Sequence, residues 1–291
     1  MSALLAQIGG AGLGLRRPLM QDLARLKPGD PIDFFEIAPE NWLHLGGRLG
    51  QKLRPFSEAY PIICHGLSLS IGGIGPLNRQ LLLDIKNFIA THNIRHYSEH
   101  LSYTGDEAQL YELFPLPLTW EAVQHTAARI RMAQDILGER IAIENATYYT
   151  LPAQDMSEVE FINAVVAEAD CQLLLDVNNL YVNSQNHHYC PQQFLQQLNG
   201  EAISYLHIAG HWLEEDHWRI DTHAERVDEP VWALLADVYA RFGVKPTLLE
   251  RDDNFPAISE LTAEVGRIKQ AQRGCGTEPL QTPGAGGQPH E

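Results

Sequence analysis

Eight short apolar runs, spread along most of the chain, constrain its fold more than any other feature. Each run is rich in β-branched or aromatic residues and is flanked by turn residues, which is the pattern of a buried strand in a parallel sheet. The runs occupy residues 12–15, 33–37, 61–67, 95–101, 140–145, 171–177, 204–210 and 245–251. The sequence therefore predicts eight strands.

Most segments between these runs have the 3.6-residue apolar period of amphipathic helices. Thr119 is suited to cap one helix at its start and Gly138 to end it, and Gly243 is placed to end another. Eight strands that alternate with helices predict an α/β fold, a (β/α)8 TIM barrel. A doubly wound open sheet is the competing architecture, but the count of eight and the lack of a strand-to-helix GxGxxG favour the barrel.

The bulk properties predict one soluble barrel domain followed by a tail. A barrel fits the 291-residue length as a single unit, which we place at residues 1–272, and the Gly- and Pro-rich stretch 273–291 is expected to be disordered. The net charge of −16, without a Lys/Arg stripe, argues against nucleic-acid binding. We see no signal peptide, no apolar run long enough to span a membrane and no paired cysteine spacing, so we expect a reduced, cytoplasmic protein.

Six of the eight predicted strands carry a titratable side chain near their carboxyl end, after an apolar stretch. These side chains are His65, His100, Glu144, Asp176, His207 and Glu250. In a barrel those strand ends converge on one mouth, where the active sites of this fold lie. Burying one such group without a partner costs several kcal/mol, so six of them need a common compensation. A bound cation provides it, because it pairs with carboxylate and imidazole lone pairs together.

Three connections after strands are long, and we expect them to be irregular and functional. They span residues 102–118, 178–193 and 211–223. The last of them adds His211, Asp221 and His223 to the candidate ligands, and the latter two are spaced to share one side of an extended segment.

The number of candidate ligands argues for more than one metal ion. One ion takes about four to six ligands, and nine candidates exceed that number. Two or three ions are therefore predicted, with a carboxylate shared between them, and Glu144 is the expected bridge. Nitrogen and oxygen ligands without thiolate suit iron, manganese or zinc alike.

Other polar residues at the predicted rim receive supporting roles. Glu36 ends the second strand and is expected to orient a ligand, and the residues directly after Glu250 are expected to support the ligands from behind. Those residues are Arg251, Asp252 and Asp253. Three asparagines are equally compatible with ligands, supporting hydrogen-bond donors or turn residues. They are Asn145, Asn178 and Asn179.

Six motifs of the chain resemble those of one known family. They are HGLSLSIGG, YSEHLSY, IAIENATYY, LLLDVNNLYVNS, HIAGHW with the IDTH that follows it, and LLERDDN. Together they resemble the multinuclear non-heme iron-dependent oxidative enzymes, a family that includes the methanobactin-biosynthesis iron enzyme. The resemblance extends from about Gly9 to about Pro256.

The resemblance implies a xylose-isomerase-like TIM barrel that holds two or three iron ions in mixed Fe(II)/Fe(III) states and uses dioxygen as a co-substrate. It further implies oxidation of cysteine, or of adjacent residues, in a ribosomally made precursor peptide. A small partner protein that recognises the leader of the peptide is expected to deliver it.

At the level of residues, the resemblance assigns all six strand-end side chains to two iron positions. Of these six side chains, the ones expected to be catalytic are Glu144, His100 and Asp176. The residues that match a third iron position are His211, Asp221, His223 and Asn179.

Two other kinds of function use the same residue types. A redox-neutral metalloenzyme on this barrel, such as a sugar isomerase or a phosphodiesterase, also places His and carboxylate clusters at strand ends, although the motif loops here are poor in Lys and Arg. A metal-storage or peptide-binding protein without turnover needs the same ligands.

Overall fold

A computed structural model describes residues 8–26, 30–105, 109–215 and 218–275 of the chain. Eight of its strands form the main sheet. They are β1 (Ala11–Gly14), β2 (Phe34–Ile37), β3 (Ile62–Gly66), β4 (Tyr97–His100), β7 (Ala142–Glu144), β8 (Gln172–Asp176), β9 (Ile203–Ile208) and β12 (Thr247–Leu249). Each lies within or overlaps one of the eight apolar runs, so the eight predicted strands are confirmed.

The eight strands close into a parallel barrel in the order β1-β2-β3-β4-β7-β8-β9-β12, with β12 paired back to β1. A small apolar cluster that includes Phe34, Ile63 and Leu174 fills the barrel interior. A much larger cluster lies between the strands and the surrounding helices. The predicted (β/α)8 barrel is confirmed.

The described helices surround this barrel. They are α1 (Met20–Leu23), α2 (Gly47–Ala59), α3 (Arg79–His92), α4 (Trp120–Leu137), α5 (Glu158–Ala169), α6 (Val177–Asn186), α7 (Pro191–Gln197), α8 (Glu229–Phe242) and α9 (Ile258–Cys275). The hydroxyl of Thr119 accepts from the N–H of Ala122 and caps α4, which ends at Gly138 in the left-handed region with a φ of 85°. Gly243 likewise follows the end of α8.

The prediction of irregular structure in the three long connections is wrong. Residues 178–193 lie mostly in α6 and the start of α7, because Asp176 caps α6 through the N–H of Asn179 (2.7 Å) and Pro191 begins α7. The other two connections contain two-stranded antiparallel sheets. These are β5 (Tyr103–Gly105) with β6 (Gln109–Phe114), and β10 (Trp212–Leu213) with β11 (Arg219–Ile220).

The chain's last described helix extends past the predicted domain boundary. Helix α9 continues to Cys275, so it includes the first three residues of the predicted tail, whereas residues 276–291 lie outside the described part of the chain. Among the described helices, none is long and apolar enough to cross a bilayer.

Candidate metal centre

The mouth of the barrel brings the six strand-end side chains together. In the parallel register, His100 lies beside Glu144, and Asp176 lies beside His207. Neighbouring parallel strands end at the same rim, so their last inward side chains meet. Among the described residues, the possible ligand atoms form three groups, each with its atoms within 4.8 Å of one another. The first group is His65, His100 and Glu144; the second is Glu144, Asp176, His207 and Glu250; the third is His223, Glu250 and Asp252.

In the first group, two imidazoles face one carboxylate oxygen. Nε2 of His65 and Nε2 of His100 lie 2.8 and 3.3 Å from Oε2 of Glu144, and 3.1 Å from each other. Their other ring nitrogens are occupied. Nδ1 of His100 donates to the carbonyl of Gly66 (3.0 Å), and Nδ1 of His65 is hydrogen-bonded to the hydroxyl of Ser98 (2.7 Å). Both rings are therefore held with Nε2 toward Glu144.

The second group gathers three carboxylates around His207. Nδ1 of His207 lies 2.9 Å from Oε2 of Glu250, 3.4 Å from Oε1 of Glu144 and 3.9 Å from Oδ2 of Asp176. On the other side of the ring, Nε2 donates to Oε2 of Glu36 (3.0 Å). Glu36 thus orients a candidate ligand, and Glu144 offers one oxygen to each of two groups.

The third group surrounds His223, whose two ring nitrogens face different acids. Nδ1 lies 3.2 Å from Oε2 of Glu250 and 3.7 Å from Oδ2 of Asp252. Nε2 lies 2.8 Å from Oδ1 of Asp221 and 3.4 Å from Oδ1 of Asn179. His223 therefore offers an ion two alternative positions, one on each side of its ring.

His211 lies apart from the three groups. Its Nδ1 donates to Oδ1 of Asn178 (2.8 Å), and its Nε2 is 3.6 Å from Oδ2 of Asp228. Nδ2 of Asn178 in turn donates to Oδ1 of Asp221 (2.8 Å). Among the residues assigned to a third ion from the sequence, Asp221 is adjacent to His223, whereas His211 reaches Asp221 only through Asn178.

The rim asparagines hold neighbouring strand ends together. Nδ2 of Asn145 donates to the carbonyl of Asp176 (3.0 Å), and Oδ1 of Asn145 accepts from the N–H of Asp176 (2.8 Å). Nδ2 of Asn179 donates to the carbonyl of Asn145 (3.1 Å). These bonds fix where the carboxylate of Asp176 lies.

The three residues after Glu250 differ in what they contact. Nη2 of Arg251 donates to Oε2 of Glu264 (3.0 Å), and Oδ1 of Asp253 accepts from the N–H of Asn254 (2.8 Å). Asp252 instead belongs to the third group, where it stands among the possible ligands themselves.

Several buried polar atoms of the centre lack hydrogen-bond partners. They are Oε2 of Glu144, Oδ2 of Asp176 and Nδ1 of His207. Each lies within 2.8 to 3.9 Å of another possible ligand atom, but none of these contacts is a hydrogen bond. Leaving buried polar groups unpaired costs about 1–3 kcal/mol each. Their nitrogen and oxygen chemistry fits divalent or trivalent iron, so these residues are suited to hold metal ions.

Protons supply positive charge to the centre when metal is absent. Burial alone would lower the pKa of His65, His207 and His223, but neighbouring carboxylates raise it, to about 9 for His65 and well above 6.5 for the other two. Burial and the charge of His65 lower the pKa of His100 to about 4. Burial opposes the ionised form of Glu144, yet its imidazole neighbours hold its pKa well below 4.5.

The centre opens into a cavity of about 480 Å³ at the barrel mouth. The cavity is lined by the three residues of the first group. It is also lined by Thr104 and Glu112 from the β5–β6 hairpin and by Tyr149 and Thr222 from other connections. The long connections therefore form the walls of the space through which a substrate reaches the possible ligands.

Arg16, Ser98 and Tyr205 contribute to the centre without having been singled out from the sequence. The hydroxyl of Ser98 bonds to that of Tyr205 (2.7 Å), and the hydroxyl of Tyr205 donates to Oε2 of Glu36 (2.9 Å). Arg16 donates to Oε1 of Glu250 (2.8 Å). None of the three is an acid or an imidazole at a predicted strand end. The available signal in the sequence is the position of Arg16 directly after the first predicted strand.

The sequence matches known proteins over nearly its whole folded length. A family model described as "RiPP precursor modification enzyme MbnB/TglH/ChrH" matches residues 10–273. A UPF0276 protein of Shewanella sediminis is 51% identical over 261 residues, covering 90% of this chain and 94% of the relative. A UPF0276 protein of Pseudomonas aeruginosa (PA3283) is 48% identical over 279 residues, covering 96% and 98%.

Solved structures with low sequence identity share the fold. A D-tagatose 3-epimerase-like protein aligns with a TM-score of 0.60 at 13% identity, covering 91% of this chain and 99% of that one. Endonuclease IV from Thermus thermophilus aligns with a TM-score of 0.57 at 16% identity, covering 91% and 99%. A xylose isomerase domain protein from Planctomyces limnophilus aligns with a TM-score of 0.58 at 12% identity, covering 93% of this chain and 98% of that one. The predicted xylose-isomerase-like barrel is confirmed.

Proposed function

The chain belongs to the MbnB/TglH/ChrH family of RiPP precursor modification enzymes, as its motifs indicated, and from this premise we propose that it is an iron-dependent oxidase of peptide cysteines. In this proposal the centre holds two or three iron ions in mixed Fe(II)/Fe(III) states. Dioxygen is the co-substrate, and the target is a cysteine, or a residue next to it, in a ribosomally made precursor peptide.

One observation carries the proposal: the three groups of possible ligands are linked by shared carboxylates. Glu144 belongs to the first and second groups, and Glu250 belongs to the second and third. In a purely structural network of acids and imidazoles, each buried oxygen is expected to have a hydrogen-bond donor. A multinuclear centre instead requires carboxylates that face two ions at once, and their oxygens lack donors when the ions are absent. The unpartnered Oε2 of Glu144 supports the second interpretation.

The residues of the chain have separate tasks in this proposal. Glu144, Asp176 and Glu250 supply the negative charge that holds the ions. His65 and His207 supply neutral nitrogen ligands after losing a proton, whereas His100, whose pKa is lowered to about 4, is already neutral. The ions, when bound, supply one-electron redox chemistry and a place for thiolate and dioxygen to meet.

The supporting residues keep these ligands ready before substrate arrives. Ser98, the carbonyl of Gly66 and Glu36 fix the directions of three imidazoles, which reduces the reorganisation that binding requires. The β5–β6 hairpin and Tyr149 line the cavity, through which we propose that the peptide reaches the centre. A cysteine side chain entering this cavity meets the first group.

The proposal includes a partner and a location. We propose that a small partner protein recognises the leader of the precursor and delivers it, and that the enzyme works in the cytoplasm. Co-purification of the chain with the product of a short neighbouring gene, followed by fractionation of the host cell, tests both points.

The function is tested with the metal and a candidate peptide together. The protein is purified without oxygen and supplied with Fe(II), dioxygen and a short cysteine-containing peptide encoded beside its gene. Oxygen uptake and the peptide mass are then followed. We expect iron-dependent oxygen consumption and a mass change at the cysteine residue. Metal binding without oxygen uptake would instead favour a redox-neutral enzyme or a metal-binding protein.

Two matched variants separate chemistry from folding. Glu144→Gln is expected to abolish turnover. Glu99→Gln serves as the control, because Glu99 is equally buried and lies on the neighbouring strand, but burial raises its pKa to about 8, so it is largely neutral at pH 7 and Gln resembles it. Equal turnover by the Glu144 variant and the control would refute the assignment of Glu144.

A further inference from the structure

Arg16 places a fixed positive charge directly against the third group. Its Nη2 donates to Oε1 of Glu250 (2.8 Å) and also contacts Oδ1 of Asp252, while its Nε donates to the same oxygen of Asp252 (2.9 Å). Two of the three members of the third group are therefore already paired with a cation that belongs to the chain. The pairing is charge-assisted, and guanidinium is the side chain best suited to it.

The position of Arg16 is held by the local backbone. Only Leu15 separates Arg16 from the end of β1. The N–H of Arg16 donates to the carbonyl of Gly14 (3.0 Å), and its guanidinium lies over Gly14. On the opposite side, the N–H of Asp252 donates to the carbonyl of His223 (2.9 Å). Arg16 and Asp252 thus approach each other from two fixed segments of the rim.

This pairing divides the two oxygens of Glu250 between two tasks. Oε1 faces Arg16, whereas Oε2 faces Nδ1 of His207 (2.9 Å) and Nδ1 of His223 (3.2 Å). Only Oε2 is free to face an ion, so Glu250 is held as a ligand through one oxygen. Asp252 likewise has Oδ1 committed to Arg16.

The two sides of the His223 ring consequently differ in charge. On the Nδ1 side, the carboxylates of Glu250 and Asp252 are offset by Arg16. On the Nε2 side, Oδ1 of Asp221 lies 2.8 Å away and Oδ2 of Asp176 lies 3.9 Å away. The other neighbours there are the amide side chains of Asn178 and Asn179, which carry no positive charge to offset these two acids. A divalent cation is repelled by a guanidinium a few ångströms away, and the repulsion is strong in a partly buried site.

We propose that Arg16 is a built-in counter-ion that keeps a metal ion out of the group formed by His223, Glu250 and Asp252. A third ion, where one binds, is then confined to the Nε2 side of His223, next to Asp221. Arg16 in this way limits the number of ions at the centre and makes Glu250 a one-oxygen ligand of the second group. The inference rests on the metal centre of the proposed function.

The test counts ions and does not need a substrate. Metal-free protein is titrated with Mn(II) without oxygen, free Mn(II) is measured by its electron paramagnetic resonance signal, and bound metal per chain is measured after equilibrium dialysis. Arg16→Gln is expected to bind one more ion than the wild type, or to hold the weakest ion at least about tenfold more tightly. Arg16→Lys keeps the charge and is expected to behave as the wild type.

Arg17→Gln is the matched control for loss of a positive charge. Arg17 is the next residue, but its guanidinium lies over the ring of Trp42 and donates to the carbonyl of Asn41, away from the third group. Its variant is expected to leave the ion count unchanged. A smaller ion count in Arg16→Gln, or an unchanged count with unchanged affinity for the weakest ion, would overturn the inference, because either result would make Arg16 only a support for the two carboxylates.

A second pair of variants tests the same point from the acid side. Asp252→Asn alone is expected to keep the wild-type ion count, since Asp252 is paired with Arg16 and is not a ligand. Added to Arg16→Gln, the same change is expected to remove the extra ion. Loss of an ion in Asp252→Asn alone would contradict the inference even if Arg16→Gln failed to fold.

The metal centre itself is checked in the same titration through Glu144→Gln. If the wild type binds Mn(II) and Glu144→Gln binds less, the centre stands, and the Arg16 variants decide the inference alone. If the wild type binds no metal, the centre and the inference both fail.

Discussion

The molecule buries carboxylates in two polar regions, which differ in whether every carboxylate oxygen has a hydrogen-bond donor. At the barrel mouth, Oε2 of Glu144 and Oδ2 of Asp176 have no hydrogen-bond partner. In the other region, Glu158 at the start of α5 has both oxygens paired: Oε1 accepts from Asn183 (3.1 Å), and Oε2 accepts from Tyr148 (3.2 Å) and Tyr189 (3.0 Å). We call these four residues the Glu158 network.

The difference separates a structural acid cluster from one that needs a cation. The Glu158 network pairs each carboxylate oxygen with donors of the chain, so it is complete as it stands. At the barrel mouth, carboxylate oxygens remain without donors, and the imidazoles compensate the negative charge only by taking up protons. The first region should therefore respond to pH alone, and the second should respond to metal.

The largest expected effect is on metal affinity. Glu144→Gln replaces one carboxylate oxygen by an amide nitrogen and removes the negative charge that two groups share. We expect the affinity for Fe(II) or Mn(II) to fall by about a thousandfold or more, beyond the 10–100-fold typical of residues that only support a ligand. Glu158→Gln should leave the affinity unchanged. Competition with a coloured chelator measures both, and equal affinity in the two variants would erase the distinction between the regions.

The next effect concerns stability and pH at the Glu158 network. Burial raises the pKa of Glu158 from 4.5 to about 7, against the lowering effect of its hydrogen bonds. Between these two values the folded state holds a proton that the unfolded state has lost, so the wild type loses stability as pH rises from about 4.5 to 7. In Glu158→Gln the amide does not titrate, so the variant lacks this contribution to the pH dependence of stability.

Relative to Glu158→Gln, the wild type should thus lose on the order of 3 kcal/mol of unfolding free energy between pH 4.5 and 8. Urea unfolding of both proteins in metal-free buffer at several pH values measures this, since the titrations at the barrel mouth are common to both. A difference that is constant with pH would show that Glu158 is ionised throughout.

A smaller effect is expected from the residue that orients His207. Glu36→Gln weakens the hydrogen bond to Nε2 of His207 and leaves all members of the three groups in place. We expect metal affinity to fall about 10–100-fold, with the ion count unchanged. This variant distinguishes residues that bind an ion from residues that only orient a ligand. Loss of a whole ion would show that Glu36 is itself a ligand.

The last expected effect is the pH dependence of metal binding in the wild type. His65, with a pKa raised to about 9, and His207 and His223, with pKa values raised above 6.5, are protonated in the metal-free protein at pH 7. Metal must displace these protons, so affinity should rise with pH, about tenfold per unit for each proton displaced. Calorimetry in buffers of different ionisation enthalpy counts the released protons. No release at pH 7 would contradict the charge compensation inferred here.

The strands and the clustering of the six strand-end side chains follow from local patterns, which is why they could be predicted. Each strand is buried on both faces and reads as a short apolar run, and the polar residue near its end marks the rim. Helix α6 was missed because the asparagine-rich segment after Asp176 has the composition of a turn. Burial of Asn178 and Asn183 against the barrel, together with the cap from Asp176, overrides that preference.

The third group could be predicted only in part. The strand before Glu250 ends at Leu249, so the alternation that aims a side chain inward no longer applies to Asp252. Its place depends on the approach of Arg16, which is distant in sequence. His211 follows its strand by three residues, and its direction is decided by Asn178 on another element.

The most direct test of the central claim is anomalous diffraction at the iron edge from crystals grown with Fe(II) under exclusion of oxygen. We expect two or three peaks at the barrel mouth, with Glu144 in bonding contact with two of them, and no peak at the Glu158 network. A map without peaks among His65, Glu144 and His207, or with iron only on the outer surface, would contradict the account.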